Sequence, residues 1–360
     1  MLAQLSTTAL IGVTAHPVRV EVDLSSGLPS IAVVGLGDVT VLQARDRIRA
    51  AFANSGFDWP DRRITISLPP ADLPKQGAGF DLPIAVGPLA AAGLVPTTAL
   101  AGLWAVGELG LGGDLRPVPG VLSAAFSARD HGAGLLLVPR GNLAEAALVP
   151  GVAVAGAASL GQVAQWLRGQ IALPSGSHPT RPAPPAHIED LAEVHGQPLA
   201  RRALEIAAAG GHNLLLVGPV GAGKTLLARC LAGLLPDLDH NEALEVTQVM
   251  SAAGLLSADA GLVRVRPFRA PHHSISVAGL VGGGSRLPRP GEATLAHNGA
   301  LFLDDLPEFA RAAVRRCASR WSPARSRWSA RGPACGSLPG SRCSPFMRSR
   351  TCPLVKACRL

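Results

Sequence analysis

The chain has 360 residues, of which 48% are apolar and 16% charged, and its formal net charge is +8. This length predicts two domains, and the apolar content suffices for buried cores. Proline, glycine or charged residues interrupt every apolar stretch well before the roughly 18 residues that a membrane-spanning helix needs, and the first residues lack the basic start of a secretory signal. We therefore expect a cytoplasmic protein with no membrane partner.

The positive charge is confined to residues 311–360, which hold eleven Arg, one Lys and no acidic residue. The preceding 310 residues carry 21 basic and 25 acidic side chains, a net charge of −4. A basic surface is typical of nucleic-acid binding, but here it describes only the tail. Five of the six cysteines also lie in this tail.

Residues 1–172 alternate short apolar strands with helices rich in small residues, which favours an α+β domain. The predicted strands are 18–24, 64–70 and 134–140, and the predicted helices are 41–56, 82–93 and 118–132. Each helix ends near a glycine that suits a C-cap. Residues 173–190 contain five prolines and no apolar period, so we expect a semi-rigid linker there.

A second domain, residues 191–310, begins with a predicted helix over 197–209. A strand over 213–218, a glycine-rich turn and a helix over 225–235 follow. This order is a βα unit of a parallel sheet. An apolar strand, ALFLDD at 300–305, comes about eighty residues later.

The turn matches the G-x-x-x-x-G-K-[ST] motif of a P-loop, with the strand before it and the helix after it that the motif requires. Its residues are Gly218, Pro219, Val220, Gly221, Ala222, Gly223, Lys224 and Thr225. Glycines allow backbone N–H groups to surround phosphates, and the helix N-terminus adds partial positive charge. We expect Lys224 to reach the β- and γ-phosphates of ATP, and the Thr225 hydroxyl to bind Mg²⁺.

The strand at 300–305 ends in two carboxylates, Asp304 and Asp305. Such a strand is weak evidence alone, but together with a P-loop it predicts the second half of an ATPase site. Asp304 is the candidate Mg²⁺ ligand. Asp305 is the candidate catalytic base, and Lys224 is the other candidate catalytic residue.

The stretch FRAPHHSISVAGLVGGGSRLPRPGEATLAHNGALFLDDLPEF, residues 268–309, resembles the Mg-chelatase-like AAA+ ATPases of the YifB/ComM family. Residues 27–87 share the resemblance, which spans about residues 3–309. It implies a Lon-protease-like N-terminal domain of the ribosomal S5 domain 2 type, followed by an α/β P-loop AAA+ domain. For ComM-like members it further implies a homo-hexameric ATPase that promotes DNA branch migration in natural transformation and recombination.

The chain departs from the family and from Lon at several positions. Asp305 stands where the family usually has Glu, so a carboxylate shortened by one methylene predicts slower hydrolysis. Gly79 and Leu122 stand where a Lon-type peptidase has its Ser nucleophile and Lys base, so we expect no peptidase activity and a scaffold or interaction role. Lys75 is then expected to be a solvated surface lysine.

His272 and His273 are adjacent, and no third ligand lies at a recognised spacing, so we expect a structural or substrate-facing loop and no metal there. The glycines at 282–284 indicate backbone freedom in that loop.

Residues 311–360 show neither the sensor strand nor the arginine finger expected of the family. Their lack of acids and of periodicity is typical of a GC-rich gene read out of frame, so we expect a disordered or out-of-frame tail. A basic arm that binds nucleic acid is the alternative; a zinc site is disfavoured because no Cys-x-x-Cys pair occurs. With an incomplete AAA+ domain, we expect the apolar faces of the strands at 213–218 and 300–305 to be poorly covered.

The leading expectation is a truncated ComM-type protein that binds ATP and Mg²⁺ and hydrolyses ATP poorly. One alternative is an interaction module in which only the N-terminal domain folds. A porphyrin magnesium chelatase motor subunit is the other.

Overall fold

A computed structural model describes residues 2–35, 37–176, 189–219, 221–257, 261–284, 288–321 and 354–358. Within the ranges 318–321 and 354–358 it describes the course of the backbone. The chain divides into two compact units. The first consists of residues 1–183 and 250–262, and the second of residues 184–249 and 263–360. The first division falls inside the linker predicted at 173–190, whereas the return of 250–262 to the first unit has no counterpart in the sequence interpretation.

The first unit contains nine strands and five α-helices among its described residues. The strands are β1 Leu2–Ile11, β2 Thr14–Ser25, β3 Ser30–Val34, β4 Arg63–Ser67, β5 Leu103–Ala105, β6 Glu108–Leu109, β7 Leu115–Arg116, β8 Leu135–Pro139 and β9 Val154–Ala157. The helices are α1 Val39–Asn54, α2 Asp81–Ala91, α3 Val121–Asp130, α4 Leu143–Ala146 and α5 Leu160–Leu167. The six segments predicted from the sequence in this region are confirmed to within a few residues.

Seven of these strands form one mixed sheet in the order β3-β4-β2-β1-β5-β8-β9, and β6 pairs with β7 separately. The pairs β1–β2 and β2–β4 are antiparallel, and the other four pairs of the sheet are parallel. Strand β2 shows how the sequence builds the core: Val18, Val20, Val22 and Leu24 alternate with polar residues, and all four are buried.

Helix α2 packs directly on this sheet. All eleven of its residues are buried. A Cβ added at Gly87 would lie 2.3 Å from Val22 Cγ2, so the helix and β2 approach too closely for any larger residue. Helix α1 instead buries one face, at positions spaced three and four residues apart. Asp38 caps its N-terminus: the carboxylate accepts a 2.9 Å hydrogen bond from the Val41 amide.

The second unit begins with α6 Pro198–Gly210, and the rest of its described elements follow in chain order. They are β10 Leu214–Val217, α7 Lys224–Leu234, α8 His240–Ala252, β11 Phe268–Arg269, α9 Val277–Val281, α10 Glu292–Leu295, β12 Ala300–Leu303, α11 Arg311–Trp321 and β13 Leu354–Cys358. By the division of units, α8 belongs to this unit up to Val249. The predicted helices and strands at 197–209, 213–218, 225–235 and 300–305 are confirmed.

The four strands of this unit form a parallel sheet in the order β10-β13-β12-β11. Strand β12 is buried on both faces. Ala300 and Phe302 pack with residues of α6 and α7, whereas Leu301 and Leu303 pack with residues of α9 and α11. A continuous apolar run is what a strand covered by helices on both sides requires.

Two expectations about coverage and the tail need correction. Strand β12 is fully covered, although Leu215 and Val217 of β10 are indeed 56% and 52% exposed. Residues 311–360 were expected to be disordered or out of frame; α11 and β13 lie within them, so the expectation of disorder is wrong for residues 311–321 and 354–358. Ala313 and Cys317 share one face of α11 because they are four residues apart, and both are buried against β12 and its neighbours. The predictions for residues 322–353 and 359–360 lie outside the described part of the chain.

Candidate nucleotide-binding site

The predicted P-loop lies between the end of β10 and the start of α7. Gly221 and Gly223 have φ angles of 83° and 76°, a left-handed backbone that favours glycine. No atom lies within 4 Å of a Cβ built on either residue, so backbone conformation and not crowding is what requires glycine there. Val220, also predicted to bind the nucleotide, lies outside the described residues.

Lys224 is the first residue of α7, at the mouth of the loop. Its Nζ donates hydrogen bonds to the carbonyl oxygens of Gly218 at 2.9 Å and Pro219 at 2.8 Å. The amine therefore lies across the loop that it is predicted to serve. These neutral carbonyls are acceptors that a phosphate oxygen can replace with a charge-assisted hydrogen bond.

Thr225 and Asp304 are 79 residues apart in the sequence and in contact in the structure. The Thr225 hydroxyl donates to Asp304 Oδ2 at 3.0 Å. They meet because β10 and β12 are parallel strands of one sheet, and the carboxyl ends of parallel strands lie at the same edge. A hydroxyl and a carboxylate are oxygen ligands of the kind that Mg²⁺ prefers.

Asp305 adopts a left-handed backbone with φ 49° and ψ 54°, which is uncommon for a residue other than glycine. Its amide donates to Asp304 Oδ1 at 3.0 Å, so the two oxygens of Asp304 accept from Asp305 and Thr225 respectively. Strain of this kind is found at functional sites, where the surrounding structure maintains it.

These residues enclose a cavity of about 300 Å³. Its lining consists of Gly221, Ala222, Gly223, Lys224, Thr225, Leu226, Asp304 and Asp305. Seven of the eight were predicted as site residues from the sequence, and the structure brings them together. A loop of backbone amides, one amine, one hydroxyl and two carboxylates is a donor set that fits a phosphate group with a divalent cation.

Sequence reasoning missed Gln197, the residue before α6. Its Nε2 donates to the Ala222 carbonyl in the P-loop at 2.6 Å. Gln197 itself has a φ of 51°, and Pro198 follows as the first helical residue. Two signals were available in the sequence: the Gly196-Gln197-Pro198 turn before the helix, and the position of that helix next to the P-loop strand.

A polar network that the sequence did not indicate holds the turn before β12. Glu245 of α8 accepts hydrogen bonds from His297 Nε2 at 2.7 Å and Asn298 Nδ2 at 3.0 Å. Burial alone would raise the pKa of Glu245, but the hydrogen bonds from His297 and Asn298 lower it below its ordinary value. Arg266 donates to the Asn298 carbonyl at 2.7 Å and pairs with Glu242 at 2.8 Å. The turn that leads into β12, and thus to Asp304, is fixed from two sides.

The rings of His272 and His273 are in contact, with centroids 3.9 Å apart and planes inclined by 36°, and His272 Nδ1 lies 2.8 Å from the Ser274 hydroxyl. Among the described residues, no group of three or more His, Cys, Asp or Glu side chains is arranged to hold a metal ion. Arg269 of β11, just before this loop, forms a paired contact with Glu292 at 2.6 and 2.7 Å. This ion pair links the end of β11 to α10.

The two residues that were compared with the catalytic positions of Lon lie at the N-terminal ends of α2 and α3. Gly79 precedes α2, and Leu122 is fully buried in α3. Neither residue has a group that can act as a nucleophile or base.

Lys75 is fully buried, so the prediction of a solvated surface lysine is wrong. Its Nζ donates to the Pro70 carbonyl, and its own carbonyl accepts from the Asp38 amide at 2.9 Å. Burial lowers the pKa of the Lys75 amine, an effect that Asp72 opposes. The long aliphatic part of the side chain packs in the interior of the first unit, and the amine at its end donates to a backbone carbonyl.

None of the helices in the described part of the chain is long and apolar enough to cross a membrane.

Comparison with known proteins gives matches over both units. The family model for magnesium chelatase subunit ChlI matches residues 190–317, and that for subunit ChlI of Mg-chelatase matches residues 20–142. YifB of Escherichia coli is 48% identical over 305 residues, and the competence protein ComM of Haemophilus influenzae is 45% identical over 316. An uncharacterized protein of Mycobacterium tuberculosis is 47% identical over 308 residues. These alignments cover 85–86% of this chain and 60–61% of the relatives, so the chain spans about 60% of their length.

A parallel sheet with helices on both faces, a glycine-rich loop between a strand and a helix, and a carboxylate at the end of a second strand fit an AAA+-like P-loop protein. Within that class, two chelatase-type family models match, and the relatives are close to half identical. The chain belongs to the YifB/ComM family of Mg-chelatase-like proteins.

Proposed function

We propose that the chain binds ATP together with Mg²⁺ in the cavity between the P-loop and Asp304. The contact of Thr225 with Asp304 carries this proposal, because two residues 79 positions apart place their oxygens 3.0 Å from each other beside the loop. Folding of the sheet does not require a hydroxyl and a carboxylate beside the P-loop. A nucleotide site that holds Mg²⁺ uses both groups as ligands of the cation.

Each residue has a separate task in this site. The amides of Gly221 and Gly223 surround the phosphates, and Lys224 exchanges its two carbonyl partners for phosphate oxygens. Thr225 and Asp304 hold Mg²⁺, directly or through water. Asp305 orients the attacking water, and its side chain is one methylene shorter than the Glu usual in the family, so we propose that hydrolysis is slow.

The family suggests a wider role. The relative from Haemophilus influenzae is called a competence protein, and the resemblance implies a hexameric ring that drives DNA branch migration in transformation and recombination. We propose the same DNA-directed role for this chain. The Lon-like first unit would serve as a scaffold or interaction module in the cytoplasm. Because the Asp305 carboxylate is one methylene shorter than the usual Glu, we propose that this chain binds ATP more readily than it hydrolyses it.

Fluorescent ATP binding in the presence of Mg²⁺ tests the proposal. Lys224→Ala is expected to weaken binding at least about tenfold, because a charge-assisted contact to phosphate is worth roughly 1.5–3 kcal/mol. Arg202→Ala is the matched control, since this cation lies on the exposed surface of α6 in the same unit. Equal binding by wild type and Lys224→Ala would refute the assignment of this site.

A magnesium chelatase motor subunit is a second candidate, because both matching family models describe subunit ChlI. The two candidates share the nucleotide site and differ in the substrate. ATP-dependent insertion of Mg²⁺ into a porphyrin, assayed with chelatase partner subunits, would favour the chelatase. Binding to branched DNA would favour the ComM-type role.

The third hypothesis is an interaction module in which only the first unit folds. The observation that favours it is the exposure of Leu215 and Val217, two apolar residues of the second unit. Limited proteolysis distinguishes it. A stable fragment ending near residues 173–190, with no protected fragment from residues 191–310, would support the module.

A further inference from the structure

We infer that Gln197 is a positioning residue for phosphate binding, and that its side chain sets the orientation of one peptide group of the P-loop. The inference rests on the proposed nucleotide site and adds a residue that lies outside the P-loop motif. The observation is the 2.6 Å hydrogen bond from Gln197 Nε2 to the Ala222 carbonyl.

The described residues of the P-loop restrain this peptide group, which joins Ala222 to Gly223, only weakly. Gly221 and Gly223 on either side of Ala222 have φ angles of 83° and 76°. Glycine has more accessible backbone conformations than any other residue, so the backbone around Ala222 rotates at little cost. The Ala222 amide makes a long bond of 3.4 Å to the Pro219 carbonyl, which restrains the loop weakly. A contact from outside the loop is therefore the stronger restraint.

The direction of that restraint follows from peptide geometry. In a planar trans peptide the C=O and the following N–H point in opposite directions. Gln197 holds the Ala222 carbonyl, so the Gly223 N–H points away from Gln197. Gly223 lines the cavity directly before α7, where an N–H at a helix N-terminus binds phosphate oxygens.

Gln197 is itself held in an unusual backbone conformation, with φ 51° and ψ 49°. A left-handed backbone is unfavourable for a residue other than glycine, and such residues cluster at functional sites. Gly196, with φ 74°, and Pro198, the first residue of α6, flank it. The backbone thus presents the amide to the loop at the start of a helix that packs beside the P-loop strand.

The test compares wild type with Gln197→Met and Gln197→Glu, which keep the length of the side chain and remove its donor. Gln43→Glu, on the exposed face of α1 in the first unit, controls for added charge. We expect both Gln197 variants to bind fluorescent ADP with Mg²⁺ about 3- to 10-fold more weakly, with unchanged melting temperatures without nucleotide. In protein labelled with ¹⁵N-glycine, ADP is expected to shift the Gly223 amide signal in wild type and to shift it less in Gln197→Met.

The outcomes separate the two claims. If wild type binds ADP, Lys224→Ala does not, and Gln197→Met binds as wild type does with the same Gly223 shift, the positioning role is wrong and the nucleotide site stands. A loss of affinity in Gln197→Glu alone would indicate charge repulsion and would also overturn the positioning role. If wild type binds no ADP, the nucleotide site and the role of Gln197 fall together.

Discussion

Replacing Arg47 by alanine would remove the partner of the fully buried Asp81 carboxylate. Arg47 donates to both oxygens of Asp81 at 2.8 Å, and the Leu109 amide donates at 3.3 Å. Asp81 is 0% exposed and the Arg47 side chain 23% exposed. Without Arg47 the carboxylate would keep a single long hydrogen bond. Removing one partner of a buried ion pair costs about 3–5 kcal/mol, which for a unit of this size lowers the melting temperature by roughly 6–20 °C.

The loss is expected to depend on pH. Burial raises the pKa of Asp81 above its ordinary value, although the hydrogen bonds from Arg47 and the Leu109 amide oppose this effect. Because the folded-state pKa exceeds the unfolded value, the neutral form contributes stability that is present at low pH and is lost as the pH rises through the folded-state pKa. Without Arg47 that pKa rises further. The destabilisation in Arg47→Ala should therefore be larger at pH 7 than at about pH 4.

Thermal and urea unfolding followed by tryptophan fluorescence measures this effect, because Trp59, Trp104 and Trp166 lie in the first unit. Arg116→Ala is the matched control, since its ion pair with Asp114 is more than half exposed and such pairs are worth less than about 1 kcal/mol. The reasoning is refuted if Arg47→Ala loses no more stability than Arg116→Ala, or if its loss is the same at both pH values.

Three further predictions concern the site, a buried amine and the tail. Mg²⁺ is expected to increase the affinity for ADP, and Asp304→Asn should make that increase roughly 10- to 100-fold smaller. Glu308→Gln should leave the increase unchanged. Equal Mg²⁺ dependence of ADP binding in the two variants would contradict the metal role of Asp304. Lys75→Met should remove a pH dependence of the melting temperature. Burial lowers the pKa of Lys75, so the wild type gains stability as the pH rises toward 10.5, the pKa of lysine in the unfolded chain. If the melting temperature of the variant still follows that of the wild type from pH 7 to about pH 10, this prediction is wrong. Deleting residues 322–360 removes β13, which pairs with both β10 and β12, and should abolish ADP binding; a deletion variant that binds like the full chain would show that the tail is dispensable.

The P-loop could be predicted from local sequence alone. A strand, a glycine-rich turn and a helix are contiguous, so their residues could be assigned tasks before any contact was known. Asp304 was paired with the loop because an apolar strand that ends in carboxylates follows the P-loop in the sequence, and the 3.0 Å bond to Thr225 agrees with that assignment. Gln197 was missed because its side-chain hydrogen bond joins it to a residue 25 positions away, and the turn before α6 does not by itself indicate which residue the amide contacts.

Lys75 and the tail show where sequence reasoning was wrong. A lysine among prolines and glycines is predicted to be exposed, because a charged amine is usually solvated. In the fold the Lys75 side chain is buried, and its amine donates to a backbone carbonyl. The tail has no clear period, yet Ala313 and Cys317 lie on the face of α11 that β12 needs covered. Whether a weak pattern becomes a helix depends on the apolar surface that is available to it, which is a tertiary property.

The sequence by itself determined the nucleotide-binding motif, the order of strands and helices around it and the family, because these depend on residues close together in the chain or on long runs of identity. Only the tertiary structure decided which distant groups meet: Thr225 with Asp304, Gln197 with Ala222, Arg47 with Asp81. Hydrogen bonds and ion pairs of this kind act over about 3 Å, and distances in the sequence do not report such proximity.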